Sequence, residues 1–390
     1  MTAESTARLR TPEGVKALDS ALEVAGSDPL AAASALRARG VPPELAAAAL
    51  TQVELRRRAV AKFGPDAASM FFTRAGLEQA TRSVVAERRA RRLAAAGVTT
   101  LADLGCGLGS DALAAARAGI RVYAVDADPE TAAMAAANAE VLGLDVRVEC
   151  ADATSVPVEK YDAVFADPAR RRAGRGRVFD PKSYSPPWDF IAALPERVPH
   201  TVLKLAPGID HDLLPPGAEA EWVSVDGDLV EAAFWCGPLA EVPRRATLLR
   251  EGTRWELSGT GGEKAPVGRP GAFLYDPDPA VVRAHLVAEL AEVVGGRLGD
   301  PEIAYLYTDE AVDTPFARRL EVTDVVPFSL KRLRALLRER GVGRLEIRKR
   351  GSALEPEQLR KDLRLAGPNG ASLVLTRVAG APTALLCRPL

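Results

Sequence analysis

A glycine turn set between a strand-like run and a helix-like run constrains this chain more than any other feature. The apolar run Val98 to Leu104 predicts a strand, and Ala112-Leu113-Ala114-Ala115-Ala116-Arg117-Ala118 predicts a helix. Between them stand Gly105-Cys106-Gly107-Leu108-Gly109-Ser110-Asp111. Glycines in this G-x-G-x-G spacing let backbone N–H groups approach a ligand where side chains would block it. A dinucleotide fingerprint wants its third glycine where Ser110 stands, so the turn departs from the nicotinamide pattern. S-adenosylmethionine is the alternative reader of such a turn. The residues that follow have to decide between them.

Past the turn, the apolar run Ile120 to Val125 ends in Asp126-Ala127. An acid at the tip of a second strand can accept both ribose hydroxyls of an adenosine moiety. Pro129 to Gly143 is alanine-rich and predicts a helix, with the proline in its first turn and the glycine as its stop. A third strand, Val146 to Glu149, leads into Cys150-Ala151-Asp152-Ala153, putting Asp152 where an adenine amino group can be read. A fourth, Tyr161 to Ala166, ends in Asp167-Pro168-Ala169-Arg170. In an open parallel sheet such strand ends line one crevice. A lone acid after a strand is usually an ordinary loop residue; here the order and spacing of the whole set agree.

With these motifs in hand, residues 98 to 237 resemble a class I S-adenosylmethionine-dependent methyltransferase. DLGCGLGSD resembles motif I of that family, AVDADP its motif II, ADATSV its motif III, and FADPAR the motif IV of enzymes that methylate nucleic-acid bases. The resemblance implies an α/β fold with a Rossmann-like, seven-stranded sheet and S-adenosyl-L-methionine as cofactor. By position, Gly105, Gly107 and Gly109, with Asp103 and Cys106 beside them, would cradle the methionine part. Asp126 and Ala127 would meet the ribose, Asp152 and Ala153 the adenine. Asp167, Pro168 and Arg170 would be the catalytic group facing the substrate.

Methyl transfer is an in-line displacement from an already activated sulfonium, so the protein must chiefly position the acceptor. In the N-methyltransferases this resembles, an Asp or Asn is followed by two prolines and an aromatic that stacks on the base. Here the motif reads Asp-Pro-Ala-Arg, lacking the second proline and the aromatic. Asp167 and the Pro168 carbonyl can still accept an amine's hydrogens, and Arg170 can stack on a base or pair with phosphate. Tyr184 is a candidate replacement platform, set against the plainer reading of a packed loop aromatic. The uridine C5-methyltransferases share an Asp-Pro motif but need a cysteine near the end of a later strand. Thr201 to Gly208 offers none, and Cys236 reads as core, so carbon methylation is disfavoured.

Arginine is dense after the motif, at 170, 171, 172, 175 and 177. A basic loop beside an acceptor site suits a polyanion, which makes Arg171 and Arg172 candidate substrate contacts. A second concentration runs from Lys331 through Arg332, Arg334, Arg338, Arg340, Arg344, Arg348 and Lys349 to Arg350. Such runs are usually solvated faces, yet the two together favour RNA, whose single bases can be splayed out and stacked. The expectation is N-methylation of a base in tRNA or rRNA. Its rivals are a methyltransferase of a small molecule or protein, and an RNA-binding protein on this fold without turnover.

At 390 residues the chain exceeds one usual core. Four blocks are expected: a helical region over 1–96, the methyltransferase domain over 97–238, a connecting α+β segment over 239–317, and an α+β domain over 318–390. The last reads strand, helix, strand, helix, strand, strand and resembles the THUMP-like domain attached to bacterial methyltransferases of this kind. True THUMP domains bind RNA but usually precede their catalytic domain. In the first block, Phe71-Phe72 before a helix start is either a hydrophobic staple or a closure over the cofactor. Four scattered cysteines and three histidines suggest neither disulfides nor a metal site. Without a signal peptide or an apolar run of membrane-spanning length, the expected location is the cytoplasm.

Overall fold

The computed structural model describes residues 2–26, 28–170 and 184–389. Two compact units are found, one of Met1–Leu205, Asp210–Ala218 and Phe234–Ala240, the other of Ala206–Ile209, Glu219–Ala233 and Glu241–Leu390.

The first unit begins with six helices: α1 (Ala3–Leu9), α2 (Pro12–Glu23), α3 (Pro29–Ala38), α4 (Pro43–Phe63), α5 (Arg74–Gln79) and α6 (Ser83–Ala95). Thr2, Thr11 and Asp28 cap the first three through their side chains, and α2, α3 and α4 each open on proline, whose missing N–H costs nothing there. The helices bury Leu9, Leu18, Leu36, Leu45, Val53 and Leu55 in a core shared with Leu108, Leu113 and Met134. That core therefore reaches the glycine turn itself.

Five parallel strands follow: β1 (Thr100–Leu104), β2 (Arg121–Asp126), β3 (Val146–Cys150), β4 (Ala163–Ala166) and β5 (His200–Leu205), in the order β5-β4-β1-β2-β3. Helix α7 (Ser110–Arg117) links β1 to β2, α8 (Pro129–Val141) links β2 to β3, and α9 (Trp188–Arg197) precedes β5. Because all five strands run the same way, the ends of β1 to β4 expected to carry the site lie along one edge.

In the second unit, β6 (Glu219–Val225) and β7 (Asp228–Trp235, which ends in the first unit) are joined at Asp226 and Gly227, both with positive φ. Strand β8 (Arg244–Arg250) runs parallel to β6 and turns at Glu251 and Gly252 into antiparallel β9 (Thr253–Gly259). Two successive positive-φ residues suit the twist of a tight hairpin. Among the described residues the sheet has the seven strands expected of the methyltransferase domain, β1 to β7, and β8 and β9 extend it to nine. Strands β8 and β9 come from the connecting segment expected over 239–317.

A second sheet of seven strands holds β10 (Phe273–Pro277), β11 (Arg297–Leu298), β12 (Leu306–Thr308), β13 (Ala317–Pro327), β14 (Val342–Lys349), β15 (Asn369–Val378) and β16 (Ala381–Pro389), in the order β11-β12-β10-β13-β16-β15-β14. The stretch 279–294 forms two helices, α10 (Pro279–Arg283) and α11 (Val287–Val294). His285 adopts a left-handed φ and Leu286 N–H donates back to Val281 O at 3.0 Å, which closes the first helix. Helices α12 (Leu330–Glu339) and α13 (Pro356–Leu363) complete the expected order of the last block. Among the described residues no helix is long and apolar enough to cross a membrane.

Phe71 and Phe72 are buried, and their backbone is gripped by two fully buried amides. Gln52 accepts from Phe72 N at 3.0 Å and donates to Phe72 O at 2.7 Å. Asn138 of α8 accepts from Phe71 N at 2.7 Å, and its amide donates to Phe71 O and to Leu108 O. The aromatic pair is therefore core and fixes the segment to the glycine turn through Leu108. Removing Asn138 leaves three backbone groups without that partner in a dry interior. Asn138→Ala should cost about 2–4 kcal/mol. Denaturant unfolding checks this; a loss under about 0.5 kcal/mol, ordinary for a surface change, would show the clamp to be idle.

Candidate active site

The turn after β1 is shaped by backbone. Gly105 N and Cys106 N both donate to Val125 O at 2.9 Å, tying the turn to β2. Gly105 has φ 88°, and a Cβ there would come within 3.2 Å of the Asp167 carbonyl oxygen. The turn and the Asp-Pro motif thus touch through backbone, and only glycine permits it. Gly109, also left-handed, caps α7. The free N–H groups of a helix start are the expected partner for an anionic ligand group.

Asp126 ends β2. Its Oδ2 accepts from Gly107 N at 3.1 Å and its Oδ1 from Asp128 N at 3.0 Å, so the carboxylate is fixed in place with lone pairs to spare. Partial burial raises it above the ordinary carboxylate value. Asp152 follows β3 and is exposed; its Oδ1 accepts from Thr154 N and Oγ1, both at 2.8 Å, capping a short turn that buries Ala153. Of the residues assigned to the cofactor, Asp103, Gly105, Cys106, Gly107, Gly109, Asp126, Ala127, Asp152 and Ala153 all fall at the ends of β1, β2 and β3.

Asp103 is the odd member. Its carboxyl is fully buried, and neither oxygen has a hydrogen-bond partner among the described residues. Burial pushes its proton affinity well above the usual carboxylate range, Asp111 and Asp167 add to the shift, and Arg89 and Lys204 oppose it. Nearby Asp111 shows the opposite balance. Burial would raise it, but the charges of Arg89 and Lys204, with hydrogen bonds from Thr81 and Arg89, hold it below the ordinary value. An unpartnered buried acid beside a glycine turn is what a bound cation would complete. The amino group of the methionine part of S-adenosylmethionine is such a cation, so the residues present fit this cofactor.

Asp167 follows β4 and pairs with a residue the sequence reading missed. Lys204 Nζ on β5 stands 2.5 Å from Asp167 Oδ2 and donates to Thr81 Oγ1 at 3.0 Å. Thr81 Oγ1 donates to Asp111 Oδ2 at 2.7 Å, and Asp111 pairs with Arg89, whose guanidinium lies over the Phe165 ring at 4.6 Å. A lone lysine in the apolar run Thr201-Val202-Leu203-Lys204-Leu205 was the available signal.

Pro168 is buried next to Asp167. Ala169–Arg170 pairs antiparallel with Tyr184–Ser185, while Arg171 and Arg172 lie outside the described residues. Tyr184 is corrected: it is buried, its ring 5.8 Å from that of Trp188, a packed loop aromatic and not an open stacking platform. The Cys106 thiol is buried and pushed well up by that burial, while its backbone N–H ties the turn to β2. Cys236 is buried just past β7, its thiol pushed up to about 12 by desolvation, and is core. Among the described residues no group of three His, Cys, Asp or Glu is placed to hold a metal ion.

In the C-terminal block the basic run divides. Arg340 pairs with Asp324, Arg348 and Arg350 with Asp276, and Lys349 with Glu355, while Arg334 donates to Asp362 O. Lys331, Arg332, Arg338 and Arg344 are exposed and form no ion pair among the described residues.

Three family descriptions match the chain: a methyltransferase domain over residues 101–170, a THUMP domain-like family over 317–389, and a domain of unknown function over 2–59. Uncharacterized S-adenosylmethionine-dependent methyltransferases from two strains of Mycobacterium tuberculosis, CDC 1551 / Oshkosh and H37Rv, are each 36% identical over 351 residues. Those alignments span 86% of this chain and 95% of each relative. A crystal structure from Porphyromonas gingivalis W83, of a protein assigned as a methyltransferase, superposes with a TM-score of 0.74 at 24% identity. It spans 99% of this chain and 98% of the other, which shows a common fold.

Proposed function

The chain belongs to the S-adenosylmethionine-dependent methyltransferases, and on that premise we propose that it N-methylates a base in structured RNA, tRNA or rRNA, in the cytoplasm. The observation that carries this reading is Asp167: a partly exposed carboxylate after β4, whose backbone adjoins Gly105 of the glycine turn. An acceptor held there meets the methyl donor's end of the crevice.

S-adenosylmethionine supplies a methyl group on an already cationic sulfur. Asp167 Oδ1 and the Pro168 carbonyl accept the two hydrogens of an exocyclic amine and aim its lone pair. The nitrogen would gain the methyl carbon as that carbon's bond to sulfur breaks, leaving S-adenosylhomocysteine, and would shed one proton, which Asp167 takes and passes to water. Arg170, Arg171 and Arg172, which follow the motif directly in sequence, would hold phosphate. The exposed Lys331, Arg332, Arg338 and Arg344 supply a second set of phosphate contacts, consistent with the THUMP-like match.

The test is transfer of labelled methyl from S-adenosylmethionine into RNA from cells lacking the gene, followed by digestion to nucleosides. Label in a base that weakens steeply as salt rises supports the reading. Arg171→Ala with Arg172→Ala should then lower kcat/KM for RNA about tenfold with kcat kept, since phosphate contacts bind without reacting. Label in no RNA, from protein that binds the cofactor, would move the search to small-molecule or protein acceptors.

The Lys204–Asp167 pair favours one alternative within RNA. An amine and a carboxylate side by side suit removal of a proton from a hydroxyl, and label in ribose would direct the reading there.

A further inference from the structure

We propose that Lys204 is a positioning residue for Asp167, and that Thr81, from the helical N-terminal region, holds Lys204 in that pose. This rests on the reading that Asp167 faces the acceptor, whichever atom the acceptor presents.

A carboxylate has two oxygens and can rotate. With Oδ2 taken by the Lys204 ammonium, Oδ1, which has no hydrogen-bond partner among the described residues, is the one left for the acceptor. Lys204 is itself long and flexible, so its value as a fixed point depends on what grips its head. The lysine side chain is only 12% exposed, against 35% for Asp167. Thr81 Oγ1 accepts one of its protons and passes its own to Asp111, which the Arg89 pair fixes in turn. Each member has its hydrogen-bond direction set by the next. The chain of contacts runs from a cation–π contact on Phe165 of β4 back to the carboxylate that follows β4.

Thr81 is held just as firmly. It sits between α5 and α6, one residue past the point where Lys62 Nζ donates to the carbonyls of Leu77, Glu78 and Ala80 at 2.7–2.9 Å. At the other end of α5, Thr73 caps Gly76, and a Cβ on Gly76 would strike the Leu108 side chain at 2.9 Å. The segment 73–81 is thus pinned at both ends, against the glycine turn and against Lys204. The helical region is accordingly a wall of the active site and not an appendage to it.

The experiment uses the full chain and three variants, Lys204→Met, Thr81→Val and Thr81→Ser. Transfer to RNA from cells lacking the gene should fall about 10²-fold in kcat for Lys204→Met, the loss typical of a misplaced reacting group. Thr81→Val should fall about tenfold and Thr81→Ser should be restored to within about threefold, with KM and S-adenosylmethionine affinity nearly unchanged. Crystals of Thr81→Val with S-adenosylhomocysteine should show the Lys204–Asp167 contact opened beyond hydrogen-bond distance. A Lys204→Met protein with wild-type kcat, or an unmoved contact in Thr81→Val, overturns the proposal. If wild-type protein labels no RNA while the contact does open in Thr81→Val, the RNA reading falls and the positioning role stands.

Discussion

Replacing Asp167 by alanine should lower methyl transfer about 10³-fold while leaving S-adenosylmethionine binding within a factor of about three. The expectation follows from where the side chain sits. Its backbone carbonyl lies close to Gly105, an approach that alanine keeps, whereas its carboxylate contacts Lys204 and is 35% exposed. Removing the carboxylate deletes the acceptor for the leaving proton and the group that aims the nucleophile. Asparagine should fall between, near 10²-fold, because it retains one accepting oxygen but cannot take the proton. Rates with saturating RNA, set beside calorimetric affinity for the cofactor, check both. An alanine variant that turns over within tenfold of wild type would mean that the Asp-Pro motif does not carry the chemistry. A variant that loses the cofactor instead would assign Asp167 to the binding of the donor.

The parts of this protein that were legible in its sequence are those where chemistry and chain order coincide. Asp126 and Asp152 could be assigned because each follows a strand-like run at the spacing a parallel sheet imposes, and both stand at strand ends in the structure. The glycines at 105 and 109 were read as positions where a side chain would block backbone approach, and both adopt the left-handed backbone that favours glycine. The Lys204–Thr81 bond was out of reach for the opposite reason: its partners lie 123 residues apart, and a threonine in a linker has no pattern of its own. Gln52 and Asn138 were hidden likewise, because a buried amide that serves as backbone partner reads in sequence as an ordinary helix residue. Tyr184 shows the limit on aromatic residues. Composition can nominate a stacking platform, but whether the ring faces solvent or Trp188 depends on packing that no local run encodes. Strands β8 and β9 fall in the segment read only as α+β over 239–317, and the pairing of β8 with β6 and of β9 with β8 is not encoded in any local run.

Asp103 sets the second large effect, on the cofactor and not on the acceptor. Its carboxyl is buried without a hydrogen-bond partner among the described residues, and burial raises its proton affinity well above the usual carboxylate range. Binding a cationic amino group requires the carboxylate, so the proton must leave as the cofactor arrives. The sign is then fixed. Affinity for S-adenosylmethionine should rise with pH, by up to one log unit per pH unit, from the value of the cofactor-bound carboxyl up to the raised value of the free protein, and flatten above it. Calorimetry in buffers of different ionisation enthalpy should detect up to one proton released per cofactor bound. Folding stability runs the other way. A carboxyl raised in the folded state contributes stability below its ordinary value and loses it as pH climbs through the raised one, so the cofactor-free protein should weaken on the alkaline side of that window. Asp103→Asn should abolish the pH slope and weaken binding at least about 30-fold, the cost of losing one partner of a buried charge pair. The same substitution should leave the cofactor-free protein as stable as wild type or more so, because it removes a buried acid that has no partner to lose. Weaker binding together with a lower unfolding midpoint would instead make Asp103 a structural residue of the turn. Unchanged binding would leave the cofactor's cation to some other group.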